Sequence, residues 1–460
     1  MPPTSNKSET PAPAGPAEPP ITTPALAAHS PASVRWLHWR RRATRFMAGG
    51  RWTDRVSPHI RHNLRWFWLD GVFAQVVEAI TLAYVSLYVL ALGGTRSQIG
   101  WMSALGSLSA ALMLLPGAAL AGRLGRRKQV VLVSGGGVAR AALLLLALAP
   151  LAAQGRAVVY LAIALVVVRE AFANLGLPAW VSLTADIVPL SWRGRYFGSR
   201  NFAMGLAGMA TTLVVGQLIT QAGSPLGYQL TFGLAFAAGI ISTFSFSRLR
   251  EPSTPITRPA SEDAPRHSLL QHFRAHPEFL IFCAITALWS FSLNVAGPFF
   301  NIYVVEGLQG DAGDVGILSV VSAISGLPGQ RVFGTLTDRW GPRRVQLLTG
   351  LLIPVLPVAW VFVRAPWHVI PINTVAGFLW AGYTLASFNL LLMMVPEDQR
   401  HTYTALYQIV VLGSLAAGAA VGGLVIADLG YKAVFVISGV GRLVAALLFG
   451  WLVRGSQPHN

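Results

Sequence analysis

"GTLTDRWGPRR", residues 334–344, sets three arginines and one aspartate between two long apolar runs. Further upstream, "AALAGRLGRRK", residues 118–128, has the same rhythm of an arginine, a spacer, a glycine and then paired cations. A tight turn between antiparallel helices needs glycine where the backbone bends or crowds. Arginines in such a turn sit at the headgroup level of a bilayer and fix the turn on one side. Both stretches therefore read as short loops between membrane-spanning helices.

The composition agrees. Of 460 residues, 53% are hydrophobic and 12% charged, about half the charge of a soluble globular chain. The net charge of +17 does not indicate nucleic acid, because the cations lie in short loops between apolar runs and in one N-terminal arm. The single cysteine, Cys283, excludes a disulfide within the chain and reads as a small buried hydrophobe. No Cys-rich metal site, phosphate-binding Gly-x-x-x-x-Gly-Lys loop, His-Glu-x-x-His or Gly-x-Ser-x-Gly motif occurs, so no enzyme, cofactor or metal centre is expected.

Residues 1–33 are rich in Pro, Ala, Ser and Thr and read as a disordered cytoplasmic tail. Residues 34–66 are basic, with Trp36, Trp39, Phe46 and Met47 at helical spacing among Arg40, Arg41, Arg42 and Arg45. They read either as an interfacial helix on anionic lipid or as a solvated basic linker. Twelve apolar segments follow: 67–91, 97–121, 129–150, 157–187, 199–221, 225–247, 277–304, 313–336, 345–364, 366–394, 402–427 and 431–453. Their lengths suit helices across about 30 Å of hydrocarbon and exceed those of barrel strands. The loops on one face carry about four times the cations of the other, whose loops hold Arg96, Arg156, Arg364 and Lys432. Both termini are thus expected in the cytoplasm. The longest cytoplasmic loop, 248–276, divides a first bundle (67–247) from a second (277–454).

The two halves read as copies. Arg123 and Gly125 align with Arg339 and Gly341, and "IGWMS" (99–103) aligns with "VGILS" (315–319) at the same offset. "VPLSWR" (188–193) and "GYQLTF" (227–232) precede "VPEDQR" (395–400) and "GYKAVF" (430–435) in the same order. Two parallel six-helix repeats with a site between them near the midplane is a transporter architecture. At this point the 334–344 stretch resembles the cytoplasmic loop signature of the major facilitator superfamily, Gly-x-x-x-Asp-Arg-x-Gly-Arg/Lys, through Gly334, Asp338, Arg339, Gly341 and Arg343. The first copy keeps Arg123, Gly125 and Arg126 but has Ala118 and Gly122 in place of the first Gly and the Asp. "DIVPLSWRGRYFG", 186–198, resembles the family's loop between helices 4 and 5, beginning at Asp186. The resemblance implies an all-α fold of twelve transmembrane helices that works by rocking its halves. It further implies that these loop residues form a cytoplasmic gate in which, when the inside is closed, Asp338 faces the start of helix 5, near Gly198, Ser199 and Arg200. A topology anchor alone is the other reading of the loop.

Charges deep in a bilayer are costly, about 2.5–3.5 kcal/mol each on insertion scales. Glu78, Arg140, Arg169 and Glu170 lie at similar depth in the first half, and their charges cancel. Pairs Glu78–Arg169 and Arg140–Glu170 are expected, serving either substrate and proton handling or the structure of the bundle. Gln75 shares a face with Glu78, and Asn174 continues the stripe from Glu170. The second half offers neutral and aromatic candidates: Trp289, Asn294 and Asn301 in helix 7, and Asn373, Trp380 and Tyr383 in helix 10. These suit an organic molecule with apolar surface.

The reading is a monomeric secondary transporter of a small organic molecule in a bacterial-type inner membrane. Coupling to a proton or another ion is expected, and export is preferred over uptake. The alternative is a membrane sensor or scaffold of the same fold that does not transport.

Overall fold

A computed structural model describes residues 42–43, 45–47, 50, 52–53, 56–251, 277–394 and 400–453. The tail expected at 1–33 lies outside these residues, as do most of the basic arm and of the linker. The chain separates into two units, Met1–Thr44 and Arg45–Asn460. Of the first, Arg42 and Ala43 are described, and both are helical. All that follows concerns the second.

Eleven helical stretches among the described residues are long and apolar enough to cross a bilayer. In chain order they are α1 Pro58–Ala91, α2 Arg96–Leu124, α3 Arg127–Ala152, α4 Arg156–Ile187, α5 Arg193–Ala222 and α6 Leu226–Ser247. After the linker come α7 Pro277–Glu306, α8 Ala312–Trp340, α9 Pro342–Phe362, α10 Pro366–Met394 and a last stretch, Arg400–Leu452. Gly430 breaks that last stretch with φ 74° and ψ −174°, a left-handed backbone natural to glycine. The two arms, α11 (400–429) and α12 (431–452), bring the passes to twelve. No strand occurs among the described residues.

Two boundaries differ from the sequence expectation. α1 begins at Pro58, so residues 58–66 are its first turns and leave the basic arm. Ser57 caps it, accepting from the Ile60 amide at 3.3 Å, and Pro58 loses no bond at the first helical position. The apolar pattern does not reveal this because the turns are held by polar contacts: both ends of the Asn63 amide bond the Arg250 backbone at 2.9 Å. α5 likewise starts at Arg193, directly after a short 3₁₀ turn at Leu190–Trp192.

Among the described residues, the halves share a core at one end only. There Tyr84, Leu87 and Ile99 of the first half share a core with Val295, Phe299, Ile302 and Val315 of the second. At the other end the cores are separate: Leu64, Phe67, Leu183, Tyr196 and Phe246 in one half, Phe279, Phe282, Leu390, Tyr403 and Phe449 in the other. Glycine allows the close approach at the joined end. A β-carbon on Gly100 would stand 2.4 Å from Cα of Gly423, so α2 and α11 touch backbone to backbone. Arg96 clasps Glu306 across the halves at 2.7 Å and lies over the Tyr431 ring at 4.7 Å. Asn301 Nδ2 donates to the Ala83 carbonyl at 3.1 Å, and the Gly313 amide donates to Thr220 at 3.2 Å. The loops quoted first lie at the open end.

Candidate functional site: a cavity between the halves

α7 is interrupted about two-thirds of the way along. Gly297–Phe299 forms a 3₁₀ turn in which Pro298 has no amide hydrogen to donate. The break lies between two lobes of open space. The first, about 510 Å³, is lined by Glu78, Ser107, Arg169, Glu170, Asn174 and Asn294, among others. The second, about 680 Å³, is lined by Ser319, Trp360, Asn373, Trp380 and Arg442, among others. Leu82, Leu293, Gly297 and Asn301 border both. Each lobe has the volume of a small-molecule site.

Arg169 organises the first lobe. Its side chain is only 6% exposed, and Nη2 donates to Glu78 at 2.6 Å while Nη1 donates to Glu170. Glu78 is 60% exposed, its carboxylate open to the cavity, and Glu170 is 31% exposed. One buried cation thus holds two carboxylates from α1 and α4, leaving a formal charge of −1 at the wall. The expected Glu78–Arg169 contact is present; the expected Arg140–Glu170 contact is not. Glu170 takes the other arm of its own neighbour, Arg169. Arg140 lies along α6, where a β-carbon on Gly239 would meet its Cδ at 2.6 Å. Sequence depth cannot distinguish these, because one guanidinium can serve two acids.

The other candidates divide. Asn174 Nδ2 donates to the Glu170 carbonyl at 2.9 Å and lines the first lobe. Gln75 does not line either lobe and packs against Gly208 of α5. Asn294 donates to the Leu415 carbonyl at 2.7 Å and Asn373 to the Leu318 carbonyl at 3.0 Å, each tying a cavity wall together. Trp289 stacks on Tyr383 with ring centres 4.5 Å apart, and both line a smaller space behind Trp380 with Gln346. Only Trp380 of these three rings reaches the large lobe.

The loop residues serve the ends of helices. Gly125 and Gly341 terminate α2 and α8 with φ of 60° and 80°. Arg343 donates to the last carbonyls of α12, Nε to Val453 at 2.6 Å and Nη2 to Gly450 at 2.9 Å. In the first half Lys128 donates to the Leu249 carbonyl beyond α6 at 2.7 Å. Arg127 pairs with Asp186 at 2.7 Å and Glu251 at 3.4 Å. Cations at helix C-termini satisfy free carbonyls and the negative end of the dipole. Asp338, Arg339, Arg123 and Arg126 are exposed, and Gly334 lies in α8 beside Leu385. Asp338 and Arg200, expected to meet when the inside is closed, do not pair in this structure, whose loop end is open. Arg200 is buried, faces Asp70 at 3.9 Å and stacks 4.3 Å over Phe67, all within its own half.

Three features escaped the sequence reading. Asp70 sits buried on α1, accepting from Ser242 at 2.7 Å; placing the start of α1 at residue 67 left it looking like an end residue. The Gly297–Pro298 pair was a legible signal of a broken helix. Arg442, a cation within the apolar run 431–453, lines the second lobe.

The family model for the Major Facilitator Superfamily matches residues 68–306 and again 283–460. No curated protein matches the chain in sequence. Among solved structures, the nucleoside transporter NupG (D323A mutant) is similar at 15% identity and TM-score 0.66, covering 85% of this chain and 99% of that one. The D-xylose-proton symporter is similar at 15% identity and TM-score 0.65, covering 85% and 97%. A bacterial homolog of the human lysosomal transporter Spinster, in its inward-facing and unoccupied conformation, is similar at 16% identity and TM-score 0.64, covering 86% and 98%. With two family matches that together span nearly all of its helices, this multi-pass chain belongs to the Major Facilitator Superfamily of membrane transporters.

Proposed function

We propose that the chain carries a small organic molecule through the cavity between its halves by alternating access, coupled to protons at Glu78. The observation that carries this reading is Glu78 itself: a carboxylate open to the cavity yet bonded at 2.6 Å to the buried Arg169. Proton uptake on Glu78 would remove one of the two charges holding Arg169. That changes the wall of the first lobe in step with occupancy of the site. Positive loops at the open end support a cytoplasm-facing state, with both termini inside a bacterial-type inner membrane. The expected loop lock would form in the opposite state, where exposed Asp338 could meet the first turn of α5. The aromatic second lobe supports an organic cargo with apolar surface, and we assign export as the direction.

The test is flux in proteoliposomes with an imposed pH gradient, over a panel of metabolites and lipophilic drugs, with a trapped pH dye. The expected result is gradient-driven accumulation accompanied by proton movement. Glu78→Gln should keep gradient-free exchange and lose the proton signal. Flux without proton movement in the native chain would remove the coupling. No flux of any compound, with folding intact, would favour the sensor or scaffold reading instead.

A further inference from the structure

Arg442 has no part in the coupling scheme, and its surroundings point to a ligand. Its neighbour Gly441 presses α12 against α7: a β-carbon there would stand 2.3 Å from the Ser292 hydroxyl. One turn earlier, Ser438 donates to the Ser292 carbonyl at 2.6 Å. Arg442 itself lines the second lobe, as do Trp360, Trp380 and Asn373. The residue is 3% exposed. Its one hydrogen bond among the described residues is a long one, Nη2 to the Leu293 carbonyl at 3.4 Å, and its buried Nε has none. Among the described residues, no Asp or Glu lines this lobe. Arg169 and Arg200, by contrast, each face a carboxylate, at 2.6 and 3.9 Å.

A buried cation without an anion is costly, and removing its counter-charge is among the more destabilising changes a core can suffer. A guanidinium also presents a planar fork of donors that matches a carboxylate two bonds at a time. We infer that Arg442 anchors an anionic group of the cargo, a carboxylate on a body with aromatic or apolar surface. The tryptophans supply the wall for that body, and Asn373 and Ser319 supply neutral hydrogen-bonding edges. The inference rests on the transport reading for what becomes of the ligand. Its test is equilibrium binding, which needs neither flux nor a proton gradient, so the two can fail separately.

The experiment uses the purified full chain in detergent. Benzoate, phenylacetate, indole-3-acetate and naphthalene-2-carboxylate are each titrated against their own neutral amides, with binding read by calorimetry and thermal stabilisation. The expected result is at least one acid bound about tenfold tighter than its amide, the scale of one charged hydrogen-bonded contact. Arg442→Gln should bind that acid and its amide alike. Arg442→Lys, which keeps the charge and loses the fork, should retain part of the preference; it also serves if the Gln variant does not fold. Three results would overturn the inference: no acid preferred over its amide, a preference that survives Arg442→Gln, or full displacement of the acid by chloride or sulfate at equal concentration. The last would assign the site to an inorganic anion.

Discussion

At the residue scale the structure turns on Arg169 and the two acids it holds. Removing Arg169 leaves Glu78 and Glu170 facing each other with no cation between. Removing Glu78 leaves Arg169 still bonded to Glu170. Arg169→Gln should therefore lower the thermal midpoint in detergent more than Glu78→Gln does. Glu78→Gln combined with Arg169→Gln should lose less than the sum of the two, by a coupling of about 1–2 kcal/mol. Simple additivity in a thermal-shift series would show that the contact carries no coupling. The sequence made the Glu78–Arg169 pair legible, since two opposite charges at one depth in lipid have few other places to go. It did not reveal Asp70 with Arg200, because Asp70 lies near a helix start whose position depended on caps and polar contacts rather than on apolar pattern. Nor did it reveal that Arg140 would turn to α6, a choice made by the space beside Gly239.

At the element scale, the charged loops have a use that their sequence did not announce. The start of α3 reaches the end of α6 through Lys128, and the start of α9 reaches the end of α12 through Arg343. The repeat in sequence thus becomes a repeat in capping, each half closing its own last helix. Arg343 makes two charged hydrogen bonds to carbonyls at the end of α12, together worth about 1–1.5 kcal/mol at a partly exposed site. Arg343→Gln should speed hydrogen exchange across 447–453 by roughly five- to tenfold, the fraying expected from losing that much at a helix end. Exchange there that matches the native chain would show that α12 ends without this cap. The number of helices and the internal repeat were legible from apolar runs and matched segments. The partners of the loop cations were not, because a motif's spacing says nothing about which distant carbonyl lies within reach.

At the scale of the whole molecule, the halves share a core at one end and keep separate cores at the other. The architecture follows from the sequence. The state does not: on the proposed alternating access one sequence serves two states, and contacts such as Arg96 with Glu306 belong to the one described here. The central claim is that these ends open and close in opposition, and it can be tested without knowing the cargo. Arg96→Gln removes a partly exposed pair at the joined end, worth about 0.5–1 kcal/mol, and should shift the population of states by roughly two- to fivefold. With Cys283 replaced by serine, spin labels are placed at Ala185 and Met393 on the open ends of α4 and α10. A second pair goes at Arg156 and Trp367 on the joined ends; all four positions are exposed. Pulsed distance measurements in lipid should show the 156–367 distances lengthen in Arg96→Gln while the 185–393 distances shorten, in matching proportion. Lengthening at the joined end with no change at the other would mean that the seal frays locally, and would contradict alternating access.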